Sequence, residues 1–200
     1  MSMHQYMKYL KSLKRMPLAL EQHIQANVRP VNFPAGHMIQ KEGEFCGHIY
    51  FIEKGIVRIF TTNRNIEKIL RFKKENDFIL AHFDNSTKIR SRSIQALEDM
   101  TAWDFTPEMI RTTCEDFLLF NQHLMNMMMK DIILMNETSD HFEDNDAAGL
   151  FHFLRQHSPD LLDRVDPKYL ASFMGISERA FLHMKTSPIR LRMSGKHLRG

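Results

Sequence analysis

The sequence predicts an α+β protein: an N-terminal double-stranded β-helix (a jelly-roll-like β-roll), a long helix suited to dimerisation, and a C-terminal α-helical domain holding a helix-turn-helix. Three observations predict it. Residues 36–105 are short β-favouring runs separated by turn residues. The tract after Thr106 carries apolar residues three or four apart on two stripes. Residues 165–185 read as helix, glycine turn, helix.

From Met7 to Ala26, Tyr9, Leu10, Leu13, Leu18, Leu20 and Ile24 recur at helical spacing with Lys8, Lys11, Lys14 and Arg15 between them, which predicts one or two amphipathic helices closed by Pro30 and Pro34. The strand candidates are 48–52, 55–60, 66–72, 78–80 and 93–97, rich in Ile, Val, Phe and Tyr. Glu42-Gly43-Glu44, Glu53-Lys54-Gly55 and Thr62-Asn63-Arg64-Asn65 can turn the chain between them. Thr106-Pro107-Glu108 is a helix start, with a hydroxyl cap, proline in the first turn and an early acid. Phe117, Phe120, Leu124, Met128, Ile132 and Met135 form one stripe of the helix that follows; Leu118, Met125, Met129 and Ile133 form the second. A helix with two apolar stripes must be covered twice, so one stripe is expected on the β-roll and the other on a symmetry mate. The polar run 137–146 reads as a hinge, and Leu150, Phe151, Phe153 and Leu154 resume helical spacing. The expected divisions are 1–106 for the sensor-like roll with its N-terminal helices, 107–138 for the dimerisation helix and 139–200 for the helix-turn-helix domain.

Composition narrows the function. The 200 residues are 43% hydrophobic and 26% charged, as in an ordinary globular protein. No apolar run approaches the roughly eighteen residues of a membrane span, and the start lacks the apolar core of a secretory signal, so a cytoplasmic protein with no membrane partner is expected. The two cysteines, Cys46 and Cys114, stand far apart, which excludes a disulfide framework and a four-cysteine metal or iron–sulfur site. The net charge of +3 says little, but no acid follows Glu178 while Arg179, Lys185, Arg190, Arg192, Lys196 and Arg199 do. Taken alone, that asymmetry is better explained as a solvated tail than as a surface for phosphates.

The segment 165–185 tips the balance. Asp166 caps a helix with Pro167 in its first turn, Leu170 faces a core, and Ala171 is small where a second helix crosses. Gly175 permits the turn, Ile176 pins it, Ser177 caps the second helix, and Phe181 and Met184 pack back on the first. Glu178, Arg179, Leu182, His183 and Lys185 remain for the outer face. Arg179 is the candidate for guanine, Glu178 for cytosine, and His183 and Lys185 for a base edge or phosphate. A helical hairpin with a merely solvated outer face is the alternative; the conjunction of small residue, glycine, capping serine and basic charge favours double-stranded DNA.

With these two segments the chain resembles the Crp/Fnr family of bacterial regulators over nearly its whole length. Residues 39–55 are similar to the family's β-roll signature, with Gly43-Glu44, Cys46 at a small position, the apolar run Ile49-Tyr50-Phe51-Ile52, and Gly55. The 165–185 segment resembles the helix-turn-helix of members without a β-wing hairpin, and Ala96-Leu97-Glu98-Asp99 looks like the family's final roll strand. The resemblance implies a homodimeric, sequence-specific DNA-binding transcription regulator, with RNA polymerase as a further candidate partner. It also implies a nucleotide pocket with a Gly-Glu pair for ribose and an Arg-Ser pair for the cyclic phosphate. Arg90-Ser91 matches the second pair, but Ile79 and Leu80 stand at the first, so the resemblance argues against cyclic AMP and leaves the effector unnamed. Lys88, Arg90, Ser91 and Arg92 are the ligand-binding candidates; the alternating cations suit another anion, but a solvated strand edge explains them slightly better. His183 stands where the family usually has arginine, which implies a different operator or weaker DNA binding.

Two other function classes compete. A ligand-binding or scaffold dimer that has lost DNA binding fits the His183 departure. A cupin-like metal enzyme fits a small histidine-bearing roll, but His37, His48 and His82 are isolated and lack the HxH spacing. No catalytic triad, acid pair or phosphate-cradling glycine loop is evident, so the chain is not expected to be an enzyme and no cofactor or metal is assigned.

Overall fold

The computed structural model describes residues 4–44, 47–80, 92–143 and 146–186, in two units, Met1–Asp146 and Ala147–Gly200. The first unit runs α1 (His4–Leu13), α2 (Leu18–Asn27), β1 (Arg29–Phe33), β2 (Met38–Gln40), β3 (Ile49–Lys54), β4 (Val57–Asn63), β5 (Ile66–Lys73), β6 (Phe78–Leu80), β7 (Ser93–Ala96), β8 (Met100–Phe105), α3 (Pro107–Asp116) and α4 (Leu118–Glu143). The second holds α5 (Ala147–His157), α6 (Leu161–Arg164), α7 (Pro167–Met174) and α8 (Glu178–Thr186).

The strands form two four-stranded sheets of order β1-β8-β3-β6 and β2-β7-β4-β5, and every pairing is antiparallel. This is a jelly roll, as the fold class predicts. β4 and β5 are joined at Arg64 and Asn65, whose φ values of 48° and 66° make the tight turn that a twisted hairpin favours. Pro30 sits in β1, an edge strand, where a missing N–H is tolerated.

The run Ile49–Ile52 is buried at every position because both faces of its sheet are covered. Tyr50 and Ile52 point between the sheets with Val57, Ile59, Ile94 and Met100. Ile49 and Phe51 point outward, under a helical layer that brings Tyr6, Leu10, Leu20, Ile24, Ile110 and Phe120 onto Phe78, Trp103 and Phe105. Tyr6 lies at its centre, with its ring centroid 5.1 Å from Phe51 and 5.2 Å from Phe105, edge-on to the latter.

Three expectations change. Strands β1, β2 and β8 were not among the strand candidates, and residues 97–99 form the turn before β8 rather than the last strand. The last strand is Met100–Phe105, whose Ala102 and Asp104 are weak strand formers held by pairing with β1 and β3 on either side. The tract from Pro107 is two helices. Thr106 Oγ accepts from Met109 N at 3.2 Å to start α3, but Phe117 leaves the helical region (φ −132°, ψ 93°) before α4 begins. Finally, α4 continues to Glu143, through most of the supposed hinge. That run is polar, but up to Glu143 it contains neither proline nor glycine to stop a helix.

Candidate nucleic-acid interface and sensor pocket

In the second unit Leu150, Phe151, Leu154, Leu161, Leu170 and Phe181 make a small core. Asp166 accepts from Lys168 N at 3.0 Å, capping α7 beside Pro167. Gly175 takes φ 68° in the left-handed region, and Ile176 N donates to Ala171 O at 3.1 Å, so the glycine ends α7 with its last carbonyls satisfied. Ser177 Oγ then accepts from Ala180 N at 3.2 Å and starts α8. Phe181 is fully buried, edge-on to Phe151 at 6.1 Å, which fixes the rotation of α8.

That rotation leaves Ser177, Glu178, Arg179, Leu182 and His183 exposed. Glu178 with Leu182, and Arg179 with His183, are four residues apart and therefore neighbours on one outer face. Lys185 stands apart from them. Its ammonium donates to Leu162 O and pairs with Asp163 at 3.1 Å, tying α8 to α6. Burial in the core set the first face; the acid that engages Lys185 was not legible because it lies 22 residues away. Arg190, Arg192, Lys196 and Arg199 lie outside the described residues.

The first unit contains a cavity of about 340 Å³ between the roll and α4. Ile59, Leu80, Ile94, Met128 and Ile132 make its walls apolar, and Arg71, Lys73 and Arg92 bring three cations to it. Asp131, one helical turn from Met128, faces them. One of its oxygens, Oδ1, lies 2.7 Å from Lys73 Nζ and 3.0 Å from Arg71 Nη1. Lys73 is nearly buried and also donates to Phe78 O. Burial pushes its ammonium pKa down, against the opposing pull of Asp131. Burial, and then the neighbouring Arg71, lower Arg92 in the same sense. Gln40 is 2% exposed; its amide nitrogen donates to Glu44 O at 3.3 Å, while Oε1 has no hydrogen-bond partner.

Of the four ligand-binding candidates, Arg92 lines this cavity, whereas Lys88, Arg90 and Ser91 lie outside the described residues. Leu80 reaches the cavity and Ile79 is buried between the sheets, so neither position offers a polar group. Arg71, Lys73, Gln40 and Asp131 were missed. The signal was present in part: Arg71 and Lys73 alternate on a strand, which puts them on one face, and Asp131, next to Lys130, interrupts the apolar run 127–135.

The two described histidines of the roll have separate partners. His48 Nδ1 lies 2.7 Å from Asp104 and His37 stacks on Phe33, while His82 lies outside the described residues. Among the described residues no group of three or more His, Cys, Asp or Glu side chains is placed to hold a metal, and no helix is long and apolar enough to cross a membrane.

The family model of the cyclic nucleotide-binding domain matches residues 30–117. No curated protein matches the sequence. Among solved structures, the regulator CLP of Xanthomonas campestris superposes with a TM-score of 0.65 at 14% identity, over 84% of this chain and 89% of its own. FixK2 from Bradyrhizobium japonicum gives 0.62 at 12% identity, over 79% and 82%. A CooA mutant from Carboxydothermus hydrogenoformans gives 0.63 at 15% identity, over 86% and 78%. At such identities the likeness is one of fold.

Proposed function

We propose that this chain, which has the fold of the Crp/Fnr regulators and carries a cyclic nucleotide-binding domain at residues 30–117, is a dimeric, sequence-specific DNA-binding transcription regulator of the cytoplasm. The observation that carries this reading is the capped turn at Gly175 and Ser177, which presents Glu178, Arg179, Leu182 and His183 on one exposed face of α8. The neighbour CLP is described as a c-di-GMP responsive global regulator of virulence gene expression, which supports a sensing and DNA-reading role.

The roll with its N-terminal helices (1–106) serves as sensor, the helical tract 107–138 as the dimer contact, and 139–200 as the DNA reader. Met125, Met128, Met129, Ile132 and Ile133 are each roughly half exposed and recur at helical spacing on α4, a face that a second copy would cover. The sensor answers something other than cyclic AMP, because Leu80 and Ile79 supply no polar partner for a ribose.

Selection of bound duplexes from a random pool tests the reading. A defined consensus is expected, and Arg179→Ala should relax it at one position at a cost of about 1–3 kcal/mol. Equal affinity for every duplex would instead favour a ligand-binding dimer that does not read DNA, a reading supported by the engagement of Lys185 with Leu162 and Asp163.

A further inference from the structure

We propose that Met125 and Met129 on α4 are sites of reversible oxidation: a peroxide converts their thioethers to sulfoxides in the separated chain, and the sulfoxides then keep two copies apart. The proposal rests on the reading of α4 as the contact of a dimer and adds a redox control to that contact.

The methionines divide by place. Among the described residues Met7, Met16, Met100, Met109, Met127 and Met174 are buried, and Met38 and Met184 are half-buried. Every exposed one stands between positions 125 and 129 of α4, with Met125 at 64%, Met128 at 45% and Met129 at 51%. A core thioether is shielded from solutes, whereas these present sulfur to the solvent, where an oxidant can reach it.

Their spacing says what an added oxygen would do. Gln122, Met129 and Asn136 fall at the a positions of a heptad and Leu118, Met125 and Ile132 at the d positions. All six are exposed, on the side of α4 opposite the buried Phe120 and Met127. Such a seam fits a second copy of the same helix. Laid parallel and in register, each Gln122 and Asn136 meets its own counterpart, which sets the register, and each methionine packs on a methionine. Gln122 also accepts from the Lys14 ammonium, which ties this end of the seam to α1. The Met129 layer lies between Met125 and Ile132, neither of which can donate to a sulfoxide. Its oxygen would therefore be buried without a hydrogen bond, once from each chain.

The chemistry is a two-electron oxygen transfer. A sulfur lone pair attacks one peroxide oxygen, the S–O bond forms as the O–O bond breaks, and the proton on the attacked oxygen passes to the departing hydroxide, which leaves as water. Sulfur is oxidised and the peroxide reduced. Cys114 is a poor rival, because burial, and then the nearby Glu115 charge, raise its thiol pKa and disfavour the reactive thiolate. Methionine sulfoxide reductases restore the thioether with two electrons from thiols.

The test treats the full chain with hydrogen peroxide, maps added oxygen by peptide mass spectrometry and reads the dimer by sedimentation velocity. Met125 and Met129 should oxidise before the buried methionines, and faster in dilute protein, where the seam is open, than in concentrated protein. The dimer dissociation constant should then rise by about tenfold, equivalent to 1.4 kcal/mol, and return after treatment with the reductases and dithiothreitol. A chain with Met125→Leu and Met129→Leu keeps the seam apolar and should keep its dimer through the treatment; one with Cys46→Ser and Cys114→Ser should lose it as wild type does. Met129→Gln places a polar group in the seam and should weaken the dimer with no oxidant present, in a chain whose thermal melt still shows it folded. The proposal is overturned if the buried methionines oxidise as fast, or if the chain with Met125→Leu and Met129→Leu dissociates as readily as wild type. A dimer that persists when both sites are oxidised sinks this proposal alone, whereas a chain that is monomeric before any peroxide is added sinks the dimer reading and this proposal with it.

Discussion

Lys73 on β5 and Asp131 on α4 are 58 residues apart in sequence and 2.7 Å apart in space, and Arg71 shares the same carboxylate oxygen at 3.0 Å. Removing one partner of a fully buried pair costs about 3–5 kcal/mol because the other charge is left bare. Here Asp131 and Arg71 keep some solvent. Asp131→Ala should therefore lower stability by about 1–3 kcal/mol in urea unfolding, more than Asp131→Asn, which retains an acceptor.

Gly55 has φ +113°, and a Cβ placed on it would stand 2.8 Å from Met100 Cβ and 2.9 Å from Met100 Cα. Backbone strain and overlap act together at this turn between β3 and β4. Gly55→Ala is expected to cost on the order of 2–4 kcal/mol. A thermal midpoint within a degree of wild type would show that the turn relaxes freely.

His123 is fully buried on the inner side of α4, and burial, followed by the nearby Lys14 charge, lowers its pKa below the ordinary 6.5. The unfolded chain then takes up this proton first as pH falls. Stability should decline from about pH 6.5 downward until the folded pKa is reached, and be complete above that window. His123→Leu should flatten this slope when urea midpoints are compared from pH 7.5 to 5. An unchanged slope would assign the acid sensitivity to other groups.

Asp166 lies below its ordinary value of 3.8, chiefly because it accepts the Lys168 backbone N–H. Its contribution is present above that value and is lost as pH falls through the depressed one. Asp166→Ala should cost the second unit about 1 kcal/mol at pH 7, with the difference from wild type vanishing in strong acid.

Lys185 and Arg179 should separate in one experiment. Lys185→Ala breaks the tie from α8 to Leu162 O and Asp163 and should cost about 1 kcal/mol of stability as well as DNA affinity. Arg179 is exposed on the outer face, so Arg179→Ala should leave stability within about 0.5 kcal/mol while changing sequence preference. Equal melting of the two variants would contradict the structural role of Lys185.

Much of this molecule is local and therefore readable along the chain. The roll's core strands, the N-terminal helices, the Thr106 cap and the whole Asp166–Gly175–Ser177–Phe181 pattern follow from turn chemistry, capping and periodicity, each of which acts over a few residues. Strand β8 was not readable, because Ala102 and Asp104, which do not favour a strand, are held in one by neighbours on both sides. The division of α4 also needed the fold. Met128 and Ile132 share a stripe with Phe120 by spacing, yet Phe120 is buried under the roll while they remain half exposed beside the cavity. The candidate pocket shows the same limit most clearly. Arg71 and Lys73 are ordinary strand cations and Asp131 an ordinary helix acid until the roll closes and α4 crosses it. By itself the sequence determined the elements and the turn that presents α8, since these depend on near neighbours. Only the tertiary structure decided which charges meet, because an ion pair between β5 and α4 depends on where two distant segments come to rest.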